Sequence, residues 1–193
     1  MRNVVDIRDP DELHSFESSA AAFRQRKLNS DRSLVVHSYD AEHVRAIHRY
    51  LFQDVYEWAG EFRTINMHKN GTRREFADVN TGEIDRYLAD VQHLVTGTAW
   101  DRLVQSQFII AAANVFAHLN QAHPFREGNG RSSKVFMEQV SQRSHFTFDY
   151  ARVSPEEWNQ ASEFSRPDIG KYDVVPDELV PVFRLIVVER SND

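Results

Sequence analysis

The sequence predicts an all-α fold, a helical bundle interrupted by one β-hairpin, and three observations carry that expectation. Apolar residues recur at three- and four-residue spacings through most of the chain, as in Ile84, Leu88, Val91 and Val95, the stripe of a helix with one face in a core. Helix starts are well marked, above all Ser154-Pro155-Glu156-Glu157, with Ser at the N-cap, Pro at N1 and Glu at N3. One stretch, residues 61–78, breaks the helical period around Asn70-Gly71, a hairpin-turn signal.

Taken in order, Asp9-Pro10-Asp11 opens a first helix with Leu13, Phe16, Ala20 and Phe23 on its apolar face, and Leu28 to Val36 is ambiguous. Asp40 caps a helix carrying Val44, Ile47 and Leu51. The hairpin flanks are Phe62-Arg63-Thr64-Ile65 and Arg73-Arg74-Glu75-Phe76, with a plain surface loop as the alternative. Its positive residues (Arg63, His68, Lys69, Arg73, Arg74) would favour an acidic partner surface, though a solvated charge run is the commoner reason for such a cluster. Trp100-Asp101 precedes a longer helix with Val104, Phe108, Ala111, Ala112, Val115 and Leu119 on one face. The small side chains of Ala111-Ala112-Ala113 let neighbours approach, so this is the expected central helix, ending just before His123. His118 on it reads as structural. A further helix begins after Gly130, and a last one spans about Asp177 to Arg190, with Pro181 tolerable in its first turn.

The 193 residues are expected to form one domain. The absence of cysteine excludes disulfides and cysteine nucleophiles. A net charge of −6 argues against general nucleic-acid binding. No apolar run reaches the ~18 residues of a membrane span, and Met1-Arg2-Asn3-Val4-Val5-Asp6 lacks the apolar core of a secretory signal. A cytoplasmic protein is the default expectation.

The chemistry is concentrated in His123-Pro124-Phe125-Arg126-Glu127-Gly128-Asn129-Gly130-Arg131. Histidine, with an unperturbed pKa of about 6.5, accepts a proton near neutrality. Pro124 keeps His123 out of a helix interior, and Phe125 is the residue to pin the loop to a core. Glu127 is a hard oxygen donor of the kind Mg²⁺ takes beside substrate phosphates. Gly128 and Gly130 permit close backbone approach and open a helix whose free amides and dipole attract phosphate. Arg131 lies in the first turn, and Lys134 three residues on adds a second positive charge on the same face. Alone, Gly-Asn-Gly is usually only a turn. The likeness to a P-loop is faint because the second glycine is misplaced, and a zinc site lacks both cysteine and a His-Glu-x-x-His pattern.

The loop resembles the signature of the Fic family, His-x-Phe-x-(Asp/Glu)-Gly-Asn-Gly-Arg, at every position, and Tyr56-Glu57-Trp58-Ala59-Gly60-Glu61-Phe62-Arg63 is similar to the family's lead into its hairpin flap. The resemblance implies transfer of AMP from ATP to a Tyr, Ser or Thr hydroxyl of another protein. It assigns His123 the target's proton, Glu127 the Mg²⁺, and Arg126, Glu127, Gly128, Asn129, Gly130, Arg131 and Lys134 contacts to the nucleotide. Lys69 and Asn70 near the flap tip, and Asn159 beside Trp158, would touch the nucleotide as well. The flap, through Ile65, Met67, Lys69 and Arg73, would bind target main chain by strand addition. One departure is Lys134, where active members often carry a second arginine; lysine keeps the charge and loses the bidentate fork.

Many members also carry an inhibitory helix with a Ser/Thr-x-x-x-Glu-Gly/Asn pattern, and this sequence has none. The resemblance therefore implies a bacterial toxin held by a small separate antitoxin, with the B subunits of DNA gyrase and topoisomerase IV as candidate targets. The catalytic part of a secreted, host-directed effector is the alternative. Transfer of UMP, phosphate or phosphocholine, and a non-enzymatic binding module, remain rival readings.

Overall fold

A computed structural model describes residues 3–67 and 75–190. Among them run seven α-helices: α1 (Pro10–Ser30), α2 (Ala41–Phe52), α3 (Glu83–Gly97), α4 (Gln105–Ala122), α5 (Asn129–Ser141), α6 (Pro155–Phe164) and α7 (Val180–Ile186). Two short strands, β1 (Phe146–Phe148) and β2 (Val187–Glu189), pair antiparallel with Phe146 opposite Glu189 and Phe148 opposite Val187. The all-α class with a two-stranded antiparallel element is what the molecule shows.

The helix starts follow the sequence signals. Asp9 accepts from the N–H groups of Asp11 and Glu12 at 3.0 and 2.9 Å, and Asp40 from that of His43 at 2.9 Å. Ser154 and Glu157 exchange both bonds of a capping box at 3.2 and 2.9 Å, satisfying donors a helix start leaves open. The centre is α4, packed against α3 and α5. Ala112 and Ala113 are fully buried, and so are Phe108, Val115 and Leu119, so helix backbones approach α4 closely. Val104 lies outside that core, exposed just before α4 begins.

Three expectations are corrected. In α1 the inward face is Leu13, Glu17, Ala21 and Leu28, leaving Phe16 and Phe23 exposed; the helix turns to bury a carboxylate that has partners inside. The last helix ends at Ile186, and the chain continues as β2. Val187 and Val188 are β-branched, and pairing with β1 gives their backbone the ladder bonds that a helix end would lose. The flap forms no ladder along its described sides: Phe62–Ile65 is not a strand, and Glu75 makes one isolated bridge. Side chains join the flanks instead, Asn66 Nδ2 donating to Asp78 Oδ1 at 2.9 Å and Asn66 Oδ1 accepting from Val79 N–H at 2.9 Å. His68, Lys69, Asn70, Arg73 and Arg74 lie outside the described residues.

Candidate active site

The end of α4 and the start of α5 are joined by a six-residue loop, and His123 is its hinge. It caps α4 in the left-handed region, φ 38° and ψ 56°, a conformation disfavoured for a residue with a side chain and doubly so before proline. Such strain persists only where neighbours over-determine it, and here they do. The His123 carbonyl accepts from Arg63 Nε at 2.9 Å, and its ring stacks on Phe76 at 3.7 Å.

The rest of the loop is held from inside. Phe125 is buried and stacks on the His48 ring at 3.8 Å, so it does pin the loop. Asn129 spends both ends of its amide on Phe125, accepting from its N–H at 2.9 Å and donating to its carbonyl at 2.8 Å. That makes Asn129 a staple of the loop, and its backbone opens α5. Gly128 begins α5 with φ 79°, and a Cβ there would lie 2.5 Å from the Phe52 ring. Only glycine fits. Gly130 differs, since a Cβ there meets nothing within 4 Å.

Two adjoining cavities open over this loop. One, of about 360 Å³, is lined by Met67, Phe76, His123, Asn129 and Gly130 on one side and by Trp158, Asn159 and Arg166 on the other. The second, of about 410 Å³, holds Glu127, Gly128, Arg131 and Lys134 against Tyr150 and Trp158. Gly130, Trp158 and Asn159 border both, so the two form one bent cleft. The first lobe has aromatic and amide walls suited to a planar base, while the second has the cations and the free amides at the start of α5 suited to phosphates.

Glu127 is exposed, with Oε1 3.2 Å from the Gly128 N–H. No group of three His, Asp or Glu residues able to hold a metal occurs among the described residues. A single open carboxylate fits Mg²⁺, which keeps several waters and takes phosphate oxygens from its substrate.

The cations have partners. Arg131 pairs with the buried carboxylate of Glu17 and sits 4.6 Å over the Phe52 ring. Lys134 lies 4.6 Å from the Tyr150 ring and 5.6 Å from that of Trp158; burial lowers its pKa and raises that of neighbouring Glu138. Arg126 is exposed, 5.8 Å from the Trp58 ring, and borders neither lobe. Ile65 is 65% exposed on the flap and Met67 reaches the first lobe.

Arg63 corrects an expectation. It is buried, and its guanidinium donates to the carbonyls of His123, Ile65 and Ala77. A desolvated guanidinium needs every donor satisfied, so Arg63 ties both flap roots to the loop and presents no charge to a partner. His48 and Glu17 were likewise missed by the sequence reading. His48 Nδ1 accepts from Gly60 N–H at 2.9 Å, which forces Nε2 to donate to the Glu127 carbonyl at 3.0 Å. Burial drives its pKa down to about 4, keeping it neutral for that double role.

The site is thus a histidine set beside a glycine-opened helix start on a helical scaffold. The chain belongs to the Fic/DOC family, whose pattern matches residues 38–141. It is 33% identical over 165 residues to "Protein adenylyltransferase VbhT" of Bartonella schoenbuchensis, covering 84% of this chain and 33% of that protein. It is also 33% identical to "Probable protein adenylyltransferase y4lH" of Sinorhizobium fredii, over 83% of this chain and 80% of that one. The chain thus spans about a third of the first relative and most of the second. Among solved structures, the N-terminal Fic domain of a Bartonella quintana effector with bound ADP superposes with TM-score 0.86 at 25% identity, covering 98% of this chain and 91% of that one. BepC of Bartonella tribocorum, with bound AMPPNP, shares the fold at TM-score 0.85 and 23% identity over 99% of this chain and 93% of that one. No helix among the described residues is long and apolar enough to cross a membrane.

Proposed function

We propose that this chain is a protein adenylyltransferase, moving AMP from ATP to a hydroxyl side chain of another protein. One observation carries the reading: His123 and the start of α5 border the same cleft, whose second lobe collects Glu127, Arg131 and Lys134. Its relatives' names and the adenine nucleotides in related structures support it.

In this reading His123 accepts the proton as the target oxygen attacks the α-phosphorus, and pyrophosphate leaves. Phosphoryl-type transfer asks a protein chiefly for positioning and charge neutralisation. The strained loop, stapled by Asn129 and braced by His48, supplies the first; the α5 amides, Arg131 and Lys134 supply the second. Mg²⁺, held by Glu127, would supply Lewis-acid neutralisation of the phosphates. Asn159 borders both lobes beside Trp158, whose flat ring suits a nucleoside base. Lys69, Asn70, Ile65, Met67 and Arg73 would receive the target and touch the nucleotide from the flap.

These 193 residues carry no Ser/Thr-x-x-x-Glu-Gly/Asn segment to restrain such an activity, so a small antitoxin chain is the proposed partner and a type II topoisomerase B subunit the proposed target. The effector-domain alternative draws on the Bartonella effector structures and on the longer VbhT. The test is intact-mass analysis of candidate targets incubated with ATP and Mg²⁺. A gain of about 329 Da, the AMP group, is expected with wild type and not with His123→Ala, while nucleotide binding survives. Equal labelling by the His123→Ala variant overturns the mechanism.

A further inference from the structure

The C-terminal root of the flap runs beside the end of α4, and hydrogen bonds tie the two together on either side of one aromatic pair. Before Phe76, the Glu75 carbonyl accepts from Gln121 Nε2 at 3.1 Å. After it, the Ala77 N–H donates to the Gln121 carbonyl at 3.0 Å, and the Ala77 carbonyl accepts from Arg63. The same guanidinium donates to the His123 carbonyl at 2.9 Å. Arg63 therefore clamps the residue after Phe76 to the residue whose ring Phe76 covers. Arg63, Ala77 and Gln121 are all buried, and a dry setting strengthens such bonds.

Between those ties the Phe76 and His123 rings lie face to face, 3.7 Å apart and 17° from parallel. The Arg166 guanidinium sits over the same Phe76 ring at 4.7 Å. An imidazole stacked that closely fills one face and leaves the other to the guanidinium. Arg166 is itself buried, so Phe76 is backed by a side chain held in the interior. All three residues line the first lobe of the cleft.

The left-handed backbone of His123 fixes where its side chain leaves the chain, but an imidazole still turns about its side-chain bonds. A stacked partner removes most of that freedom. We infer that Phe76 is a positioning residue for the reaction: it sets the plane of the His123 imidazole, with Arg166 packed behind it, so that the base meets an incoming hydroxyl already aligned. The effect on transfer rests on the role proposed above for His123; the placement of the ring does not.

The test replaces Phe76 by Leu, which keeps apolar volume and removes the ring face, and by Tyr, which restores the face. In chain labelled with ¹³C-histidine, the His123 Hε1 resonance is identified by its loss in His123→Ala and read on the neutral plateau of a pH titration. Shielding by the aromatic face should hold it upfield in wild type and in Phe76→Tyr, and it should move downfield in Phe76→Leu. With Mg²⁺, ATP and purified gyrase B subunit as acceptor, Phe76→Leu should lower kcat about tenfold or more while KM for ATP stays within about twofold. Phe76→Tyr should recover most of kcat. Thermal melts check that both variants fold. An unmoved resonance, or unchanged kcat in folded Phe76→Leu, overturns the inference. So does a rise in KM alone, which would make Phe76 only a wall of the nucleotide site. Absence of labelling by wild type counts against the transfer reading alone, and the resonance still decides whether Phe76 sets the imidazole.

Discussion

Glu17 on α1 and Arg131 on α5, 114 residues apart in sequence, form an ion pair beside the second lobe of the cleft, and the Tyr56 hydroxyl donates to the second oxygen of the same carboxylate. The Glu17 side chain is 5% exposed and that of Arg131 31%, so one partner is committed to the interior while the other still borders the cleft. The pair holds the guanidinium at one place on the rim. Glu17→Gln leaves a buried hydroxyl poorly matched and Arg131 unanchored. Because Arg131 is partly solvated, the expected loss of stability is about 1–3 kcal/mol, below that for a fully buried pair. Transfer should fall more than stability explains, by about tenfold or more in kcat/KM for ATP, since misplacing a positioning group is costly. Urea unfolding and steady-state labelling measure the two; unchanged kcat/KM in a folded variant would remove the positioning role.

That pair also marks where the sequence stops being readable. His123, Glu127, Gly128, Gly130 and Arg131 could be picked out because one loop carries them all, and the spacing alone puts them at a helix start. Glu17, His48 and Arg63 act on that loop from 114, 79 and 60 residues away, through contacts that no local period encodes. Glu17 even misdirected the first helix: Phe16 and Phe23 gave the stronger apolar signal, yet the helix turned to bury the carboxylate. The sequence carries Val187-Val188 on as the end of the last helix, and only pairing with β1, 39 or more residues earlier, turns it into a strand.

The two loop glycines should part company on substitution. Gly128→Ala forces a Cβ to 2.5 Å from the Phe52 ring at φ 79°, so both packing and backbone resist it. A loss of about 2–4 kcal/mol and of activity is expected. Gly130→Ala meets nothing within 4 Å and lies inside α5, where alanine is the better helix former by about 1 kcal/mol. The melting temperature should hold or rise while nucleotide affinity falls, because the new methyl enters space shared by both lobes. Thermal melts with and without ATP separate the cases; equal destabilisation by both would refute the distinction.

Acid should loosen the molecule well before its carboxylates titrate. Burial lowers the pKa of His43 and of His48 from 6.5 to about 4. Each is locked neutral by accepting at Nδ1, from Tyr39 N–H at 3.1 Å and from Gly60 N–H at 2.9 Å, and an imidazolium cannot accept. The unfolded chain takes up these protons first, so stability is complete above pH 6.5 and declines as pH falls toward 4. At pH 5 the loss amounts to roughly 2 kcal/mol per histidine. Asp40 and Asp54, whose carboxyls are held below the usual range by hydrogen bonds from Ser38 and Arg24, add their loss only at lower pH. Urea midpoints between pH 7.5 and 4.5 should therefore drop steeply, with activity following because His48 braces the Glu127 carbonyl. His43→Gln, which keeps an amide able to bond both neighbours, should flatten about half of that slope, whereas an unchanged slope would show that buried histidine does not set it.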